Sequence, residues 1–244
     1  GTFVTGLPPR AADRMEFVHW PMDEGQGAKV IAKGRQGAVD PVASELRNFA
    51  IGRRTAGWID GPFGKALSFD GYGQALETFH MGPTGNAART IAFWVRVPKD
   101  FNTTQGYGII SWGALTEAGR AWQISANPFP GETGSGRLRV GVGYSDVVGV
   151  TDLRDGKWHH CAVVLYEDKK RPGRFPVLLY IDGKMEAATN KAVYGVKTAA
   201  GDDARPIWMG RSLGHGQPGR DYSGTGFFRG DLDEEKSEIG RAHV

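Results

Sequence analysis

Acidic residues gather near one end of the sequence, where Asp231-Leu232-Asp233-Glu234-Glu235 places carboxylates two apart. On a strand that spacing turns both side chains to one face. Retaining hydrolysis of a glycosidic bond needs two carboxyls about 5–5.5 Å apart, so the string is the first candidate for chemistry. His159-His160 is the second, as a metal site. Neighbours on a strand point to opposite faces, so the two rings cannot share one ion. His19, His80 and His215 show no ligand spacing. Cys161 is the single cysteine, which excludes an internal disulfide. It lies inside an apolar run, where a thiol packs as a small hydrophobe rather than acting as a nucleophile. Lys169-Lys170-Arg171-Pro172-Gly173-Arg174 is broken by Pro-Gly and reads as a solvated hairpin tip, not a phosphate site. The net charge of +3 is spread along the chain. A nucleic-acid binder would carry a dense basic face.

The elements that position these residues are strands. Trp158-His159-His160-Cys161-Ala162-Val163-Val164-Leu165 and Val177-Leu178-Leu179-Tyr180-Ile181 are β-branched, apolar runs bordered by Asp-Gly turns, which predicts neighbouring antiparallel strands. Residues 89–97 alternate, with Ile91, Phe93, Val95 and Val97 on one face and Thr90, Ala92, Trp94 and Arg96 on the other. Pro98 ends the ladder. Further strands are predicted at 17–22, 65–70, 107–113, 121–126, 137–144, 206–210 and 227–233. The 37 glycines fit many tight turns. No helical period of any length is present, and no apolar run approaches the ~20 residues of a membrane helix. Short strands at regular spacing predict an all-β sandwich or barrel. Trp94 and Trp158, bounded by apolar neighbours, are expected to pack against the opposing sheet.

Three strands pair an apolar face with a small, polar one. Ile110 and Trp112 oppose Ser111. Trp122 and Ile124 oppose Gln123 and Ser125. Leu138, Val140, Val142 and Tyr144 oppose Arg139, Gly141 and Gly143. Neighbouring strands of this kind form a shallow polar surface that backbone or ligand can approach closely. Sugars bind to such donors and acceptors beside an aromatic platform. The candidate ligand-binding residues are Ser111, Gln123, Ser125, Arg139 and Tyr144.

Five pieces carry a resemblance in order along the chain. They are Trp20-Pro21-Met22-Asp23-Glu24-Gly25-Gln26-Gly27, Gly64-Lys65-Ala66-Leu67-Ser68-Phe69-Asp70-Gly71, Thr90-Ile91-Ala92-Phe93-Trp94-Val95-Arg96, the strand 157–165 with Leu179-Tyr180-Ile181-Asp182-Gly183-Lys184, and Gly230-Asp231-Leu232-Asp233-Glu234. Together they resemble the laminin G-like (LamG) branch of the concanavalin A-like lectin/glucanase superfamily. The resemblance implies an all-β, two-sheet antiparallel jelly-roll sandwich. It also implies a non-catalytic recognition module of a bacterial extracytoplasmic protein that binds a glycan or a cell-surface protein. An adhesion or spacer domain without small ligand is the alternative, and a glycoside hydrolase remnant is a third reading. Against the hydrolase, the glucanase motif has Glu at both ends, and here the leading Glu is missing. The resemblance also implies that the first and last strands lie side by side. That places Asp23 near Asp233, where a structural Ca²⁺ would find carboxylates among its about 6–8 oxygen ligands.

The domain is expected over residues 17–235. Residues 1–16 carry Leu7-Pro8-Pro9-Arg10, a stiff linker type, and read as the tail of an upstream region, compatible with a FecR-like regulatory segment. Residues 236–244 end in Ile239-Gly240-Arg241-Ala242-His243-Val244, which looks like a translated sequencing adapter. The chain, opening at Gly1, is expected to be a fragment.

Overall fold

The alternation that marks residues 89–97 recurs along the chain and builds two sheets. The computed structural model describes residues 16–34, 43–50, 54–101, 108–129, 134–143, 145–188, 190–213 and 226–239. The first strands are β1 (Glu16–Trp20), β2 (Lys29–Ile31), β3 (Lys33–Gly34), β4 (Ala43–Asn48), β5 (Gly57–Gly61), β6 (Gly64–Asp70) and β7 (Gln74–Glu77). There follow β8 (Arg89–Arg96), β9 (Gly108–Gly113), β10 (Ala121–Ala126), β11 (Arg137–Gly141), β12 (Asp146–Asp152) and β13 (Trp158–Leu165). The last are β14 (Arg174–Ile181), β15 (Lys184–Met185), β16 (Ala192–Tyr194), β17 (Arg205–Met209) and β18 (Arg229–Ile239). Among the described residues no helix is long and apolar enough to cross a membrane.

One sheet runs β15-β14-β13-β8-β18-β1-β3, with β6 also on β18, β5 on β6 and β16 on β14; the other runs β12-β11-β10-β9-β17-β7-β4-β2. The strand pairs are antiparallel, as the turn-rich sequence predicts. The first and last strands do lie side by side, with Trp20 opposite Glu235. β18 continues through residues 236–239, the stretch that the sequence sets apart as a tail of foreign origin, and pairs there with β1 and β8.

The core lies between the sheets. Ile91, Phe93, Val95, Cys161, Val163, Leu165 and Leu232 meet Ile110, Trp112, Trp122, Ile124, Leu138 and Val140, all buried. Arg89 is in phase with Ile91 and is therefore buried with it. Its guanidinium sits 4.9 Å from the Trp122 ring centre and donates to the Ala87 and Gly85 carbonyls and to Thr198 Oγ1. Burial pushes its pKa down to about 10.

Trp94 and Trp158 are a correction: both are only half-buried and lie on the outer face of their sheet. The reason is phase. Trp94 alternates with Phe93 and Val95 rather than sharing their face, and Trp158 alternates with Cys161 and Val163. Apolar neighbours in sequence are not neighbours on a face.

Candidate ligand-binding site

β10 and β11 pair with Gln123 opposite Gly141 and Ser125 opposite Arg139. All four point away from the core. Gln123 and Arg139 are thus diagonal neighbours, close enough for long side chains to serve one ligand. Gly141 has no side chain to fill the space between them. The result is a depression of about 150 Å³ lined by Gln123, Arg139, Gly141, Leu115, Phe129 and Leu213. Phe129 is 57% exposed and Leu115 52%. The Arg139 guanidinium lies 5.4 Å from the Phe129 ring centre, and its Nε and Nη2 both donate to Asp146 Oδ2 at 2.8 Å. Gln123 Oε1 accepts the Leu213 N–H at 3.1 Å. An apolar ring face, a fixed cation and an amide converge here.

Two of the predicted residues are excluded from that surface. Ser111 is fully buried and donates its Oγ–H to the Arg211 carbonyl at 2.6 Å. Ser125 is also fully buried, and its Oγ has no partner among the described residues. The cause is the chain that leaves β17. It returns across the outer face of β9, so closely that a Cβ on Gly108 would stand 2.3 Å from Ser212 N. Arg211 seals this cover, 4% exposed, with its guanidinium 4.0 Å from the Trp208 ring centre and 4.2 Å from that of Phe49. The sequence shows no local sign of this clamp, because Phe49 lies far along the chain from Trp208 and Arg211. Tyr144 lies outside the described residues.

The proposed calcium ligands do not form a ligand set. Asp23 Oδ1 accepts the Lys65 N–H at 3.1 Å, so it caps the β5–β6 hairpin. Asp233 is fully buried under the same hairpin, where a Cβ on Gly61 would stand 2.5 Å from its carboxylate. Among the described residues no group of three or more His, Cys, Asp or Glu side chains is placed to hold a metal. No role is derived through the ion.

The carboxylate string is equally committed to structure. Asp231 and Asp233 share the outer face of β18, as their spacing predicts. Asp231 Oδ2 accepts from Arg96 Nε at 2.6 Å, and Asp233 is closed off by the hairpin. His159 and His160 take opposite faces. His160 stacks outward, 5.3 Å from Trp94. His159 bridges Asp182 through Nδ1 at 2.7 Å and Asp155 through Nε2 at 3.1 Å. Burial opposes its charge, but the two carboxylates outweigh burial and hold its pKa above the usual imidazole value. Burial drives the Cys161 thiol far upward, which keeps it protonated and inert.

A family model described as the concanavalin A-like lectin/glucanases superfamily matches residues 70–236. Among solved structures the chain is similar to domain 4 of AbnA, a GH43 extracellular arabinanase from Geobacillus stearothermophilus, in complex with arabinotriose. That likeness has a TM-score of 0.57 and 18% identity and covers 93% of each chain. The chain is also similar to the botulinum neurotoxin serotype D binding domain, with a TM-score of 0.54, 11% identity, 95% of this chain and 50% of that one. A third likeness is to botulinum neurotoxin type C, whose cell entry depends on interaction with two ganglioside molecules, with a TM-score of 0.53, 12% identity, 96% of this chain and 50% of that one. The chain spans half the length of the neurotoxin chains. At these identities the likenesses speak for the fold. No curated protein matches the chain at significance.

Proposed function

The chain belongs to the concanavalin A-like lectin/glucanase superfamily, and on that premise we propose that it is a non-catalytic glycan-recognition module of a bacterial extracytoplasmic protein. The observation that carries this reading is the convergence of Phe129, Arg139 and Gln123 around one depression. Phe129 offers a ring face for the C–H side of a sugar, and the guanidinium and amide offer polar partners for its hydroxyls. The space of about 150 Å³ is below the ~300–1,000 Å³ of a drug-sized pocket. It suits one sugar ring or the end of a chain. The arabinanase domain seen with arabinotriose is a precedent for sugar recognition on this fold, without any transfer of residues.

The absence of catalysis rests on the state of the two aspartates. One is paired with Arg96 and the other is buried, so neither is presented to a substrate. A spacer role has its own support, since Gln123 and Arg139 each hold a partner within the chain. A glycan array followed by titration calorimetry separates the two. Binding to a defined glycan that is lost in Phe129→Ala and weakened in Gln123→Ala supports recognition. No reproducible binding, or binding that both variants retain, gives the spacer reading the stronger claim.

A further inference from the structure

A second groove lies on the opposite sheet and shares no residue with the Gln123–Arg139 depression. It encloses about 620 Å³ and is lined by Ser68, Arg96, Lys99, Lys157, Arg229 and Asp231, among others. That volume is within the ~300–1,000 Å³ of small-molecule sites.

Its floor is a row across three adjacent strands. Ser68 on β6 stands opposite Asp231 on β18, and Asp231 opposite Arg96 on β8. At about 4.8 Å per strand the row is about 10 Å long. The three side chains share the outer face of the sheet, and Trp158 on β13 borders the row beside Arg96. Arg96 is fixed from two sides, by Asp231 at 2.6 Å and by the Trp158 ring, whose centre is 5.1 Å from the guanidinium carbon. The backbone of Gly230 closes the floor, with φ at 151°, and a Cβ there would stand 2.7 Å from the Arg96 carbonyl.

Charge in the groove is one-sided. Four cationic side chains, Arg96, Lys99, Lys157 and Arg229, face two carboxylates, Asp155 and Asp231. Asp231 is matched by Arg96, and Asp155 by His159 and the Lys157 N–H. Arg229 reaches out to Asp100 at 2.9 Å. Lys99 and Lys157 are exposed and make no ion pair with any described residue. A groove with a hydroxyl, an anchored guanidinium and two exposed ammonium groups outside any ion pair of the described residues suits a ligand that is both sugar and anion.

We propose that this groove binds an acidic polysaccharide, engaging its carboxylate or sulfate groups through Lys99, Lys157 and Arg96. The proposal is independent of the Phe129 depression.

The test uses three polymers: polygalacturonate for carboxylate, dextran sulfate for sulfate ester, and neutral dextran as control. Affinity is measured at about 0.05 M salt and again at 0.3 M, where screening shortens the reach of charge. The expected result is binding to at least one polyanion, weakened by salt, with no binding to dextran. Whichever polyanion binds identifies the anionic group. Lys99→Gln/Lys157→Gln removes two exposed charges and should weaken binding by about tenfold. Lys169→Gln/Lys170→Gln removes the same charge from the β13–β14 hairpin tip and should leave binding unchanged. Arg139→Ala should also leave it unchanged. No binding to either polyanion overturns the proposal. So does an equal loss in the two lysine pairs, which marks diffuse attraction, or a loss in Arg139→Ala, which places the ligand in the other site. Melting curves of the lysine variants matching the parent's show that the fold is intact.

Discussion

Glu186 closes an edge that would otherwise be open. β12 is the outermost strand of its sheet, and such a strand presents unpaired N–H groups that invite pairing with another chain. The Glu186 carboxylate accepts three hydrogen bonds from it: Val150 N–H and Thr151 N–H at 2.8 Å on Oε2, and Thr151 Oγ–H at 2.7 Å on Oε1. Gly149 permits the approach, since a Cβ there would stand 2.8 Å from Oε2. Asn190 holds the same segment to the Asp146 carbonyl. A bond to a charged acceptor contributes ~1.5–3 kcal/mol when protected from water, and ~0.5–1 kcal/mol is more apt beside the half-exposed Val150. The sum for Glu186→Ala is about 2–4 kcal/mol once competition from water is allowed for. In a domain of this size ~1 kcal/mol moves Tm by about 2–4 °C, so a fall of roughly 4–16 °C is expected. Glu186→Gln should fall less, because its amide keeps one acceptor and turns one donor against the strand's own. Scanning calorimetry measures the shift, and light scattering during the same scan should show earlier aggregation in Glu186→Ala. An alanine variant that melts within about 2 °C of the parent and scatters no sooner refutes the edge-cap argument.

His159 has its folded pKa raised above 6.5, so its contribution to stability is complete below the unfolded value and fades as pH rises through the folded one. Urea midpoints should therefore fall on going from acid to mildly alkaline pH, and His159→Gln should flatten that slope; a parallel slope in the variant would refute the assignment. Trp122→Ala, which empties a site in the core, should cost ~3–5 kcal/mol, whereas Trp158→Ala on the outer face should cost about 1–2 kcal/mol; equal losses would place Trp158 in the core after all. The purified protein should release no reducing ends from laminarin or lichenan, and activity that disappears in Asp233→Asn would restore the hydrolase reading. Melts in millimolar CaCl₂ and in EGTA should superimpose, since the described carboxylates are spent on the hairpin; a higher Tm with calcium would return the ion to this corner.

Much of the fold was legible because strand phase is a local property. The alternation at residues 89–97 predicts the inward set of β8 residue by residue, and the same holds for β9, β10 and β11. The adjacency of the first and last strands came through the resemblance rather than the residues themselves. What stayed hidden was whatever depends on chain brought in from elsewhere. Phase alone places Ser111 and Ser125 correctly on the outer face, yet it cannot show that residues 211–213 lie across them. The partner of Asp23 is 42 positions away in Lys65, and a hairpin with the wrong geometry would have left that carboxylate open. Trp94 and Trp158 show the opposite case: hydrophobicity points them inward and phase points them outward, and phase decides.

The cover over β9 also explains why recognition on this molecule should be divided. In a sandwich each sheet has one free face, and here one of them is closed over β9 and β17 by Arg211 clamped among Phe49, Trp208 and Phe227. Burying that cation is tolerable because three ring faces surround it. The closure leaves β10 and β11 open beside it, and Leu213 of the covering segment becomes one wall of the depression while its N–H orients Gln123. The cover thus builds the small site as it removes the larger surface. On the other sheet the β5–β6 hairpin plays the same part. It buries Asp233 and leaves Ser68 and Arg96 partly exposed along the groove beyond it, beside the buried Asp231. Two cover segments, one on each face, select which outward residues can meet a ligand. On the two proposals made above, a neutral ring would meet the narrow side and a charged chain the broad one.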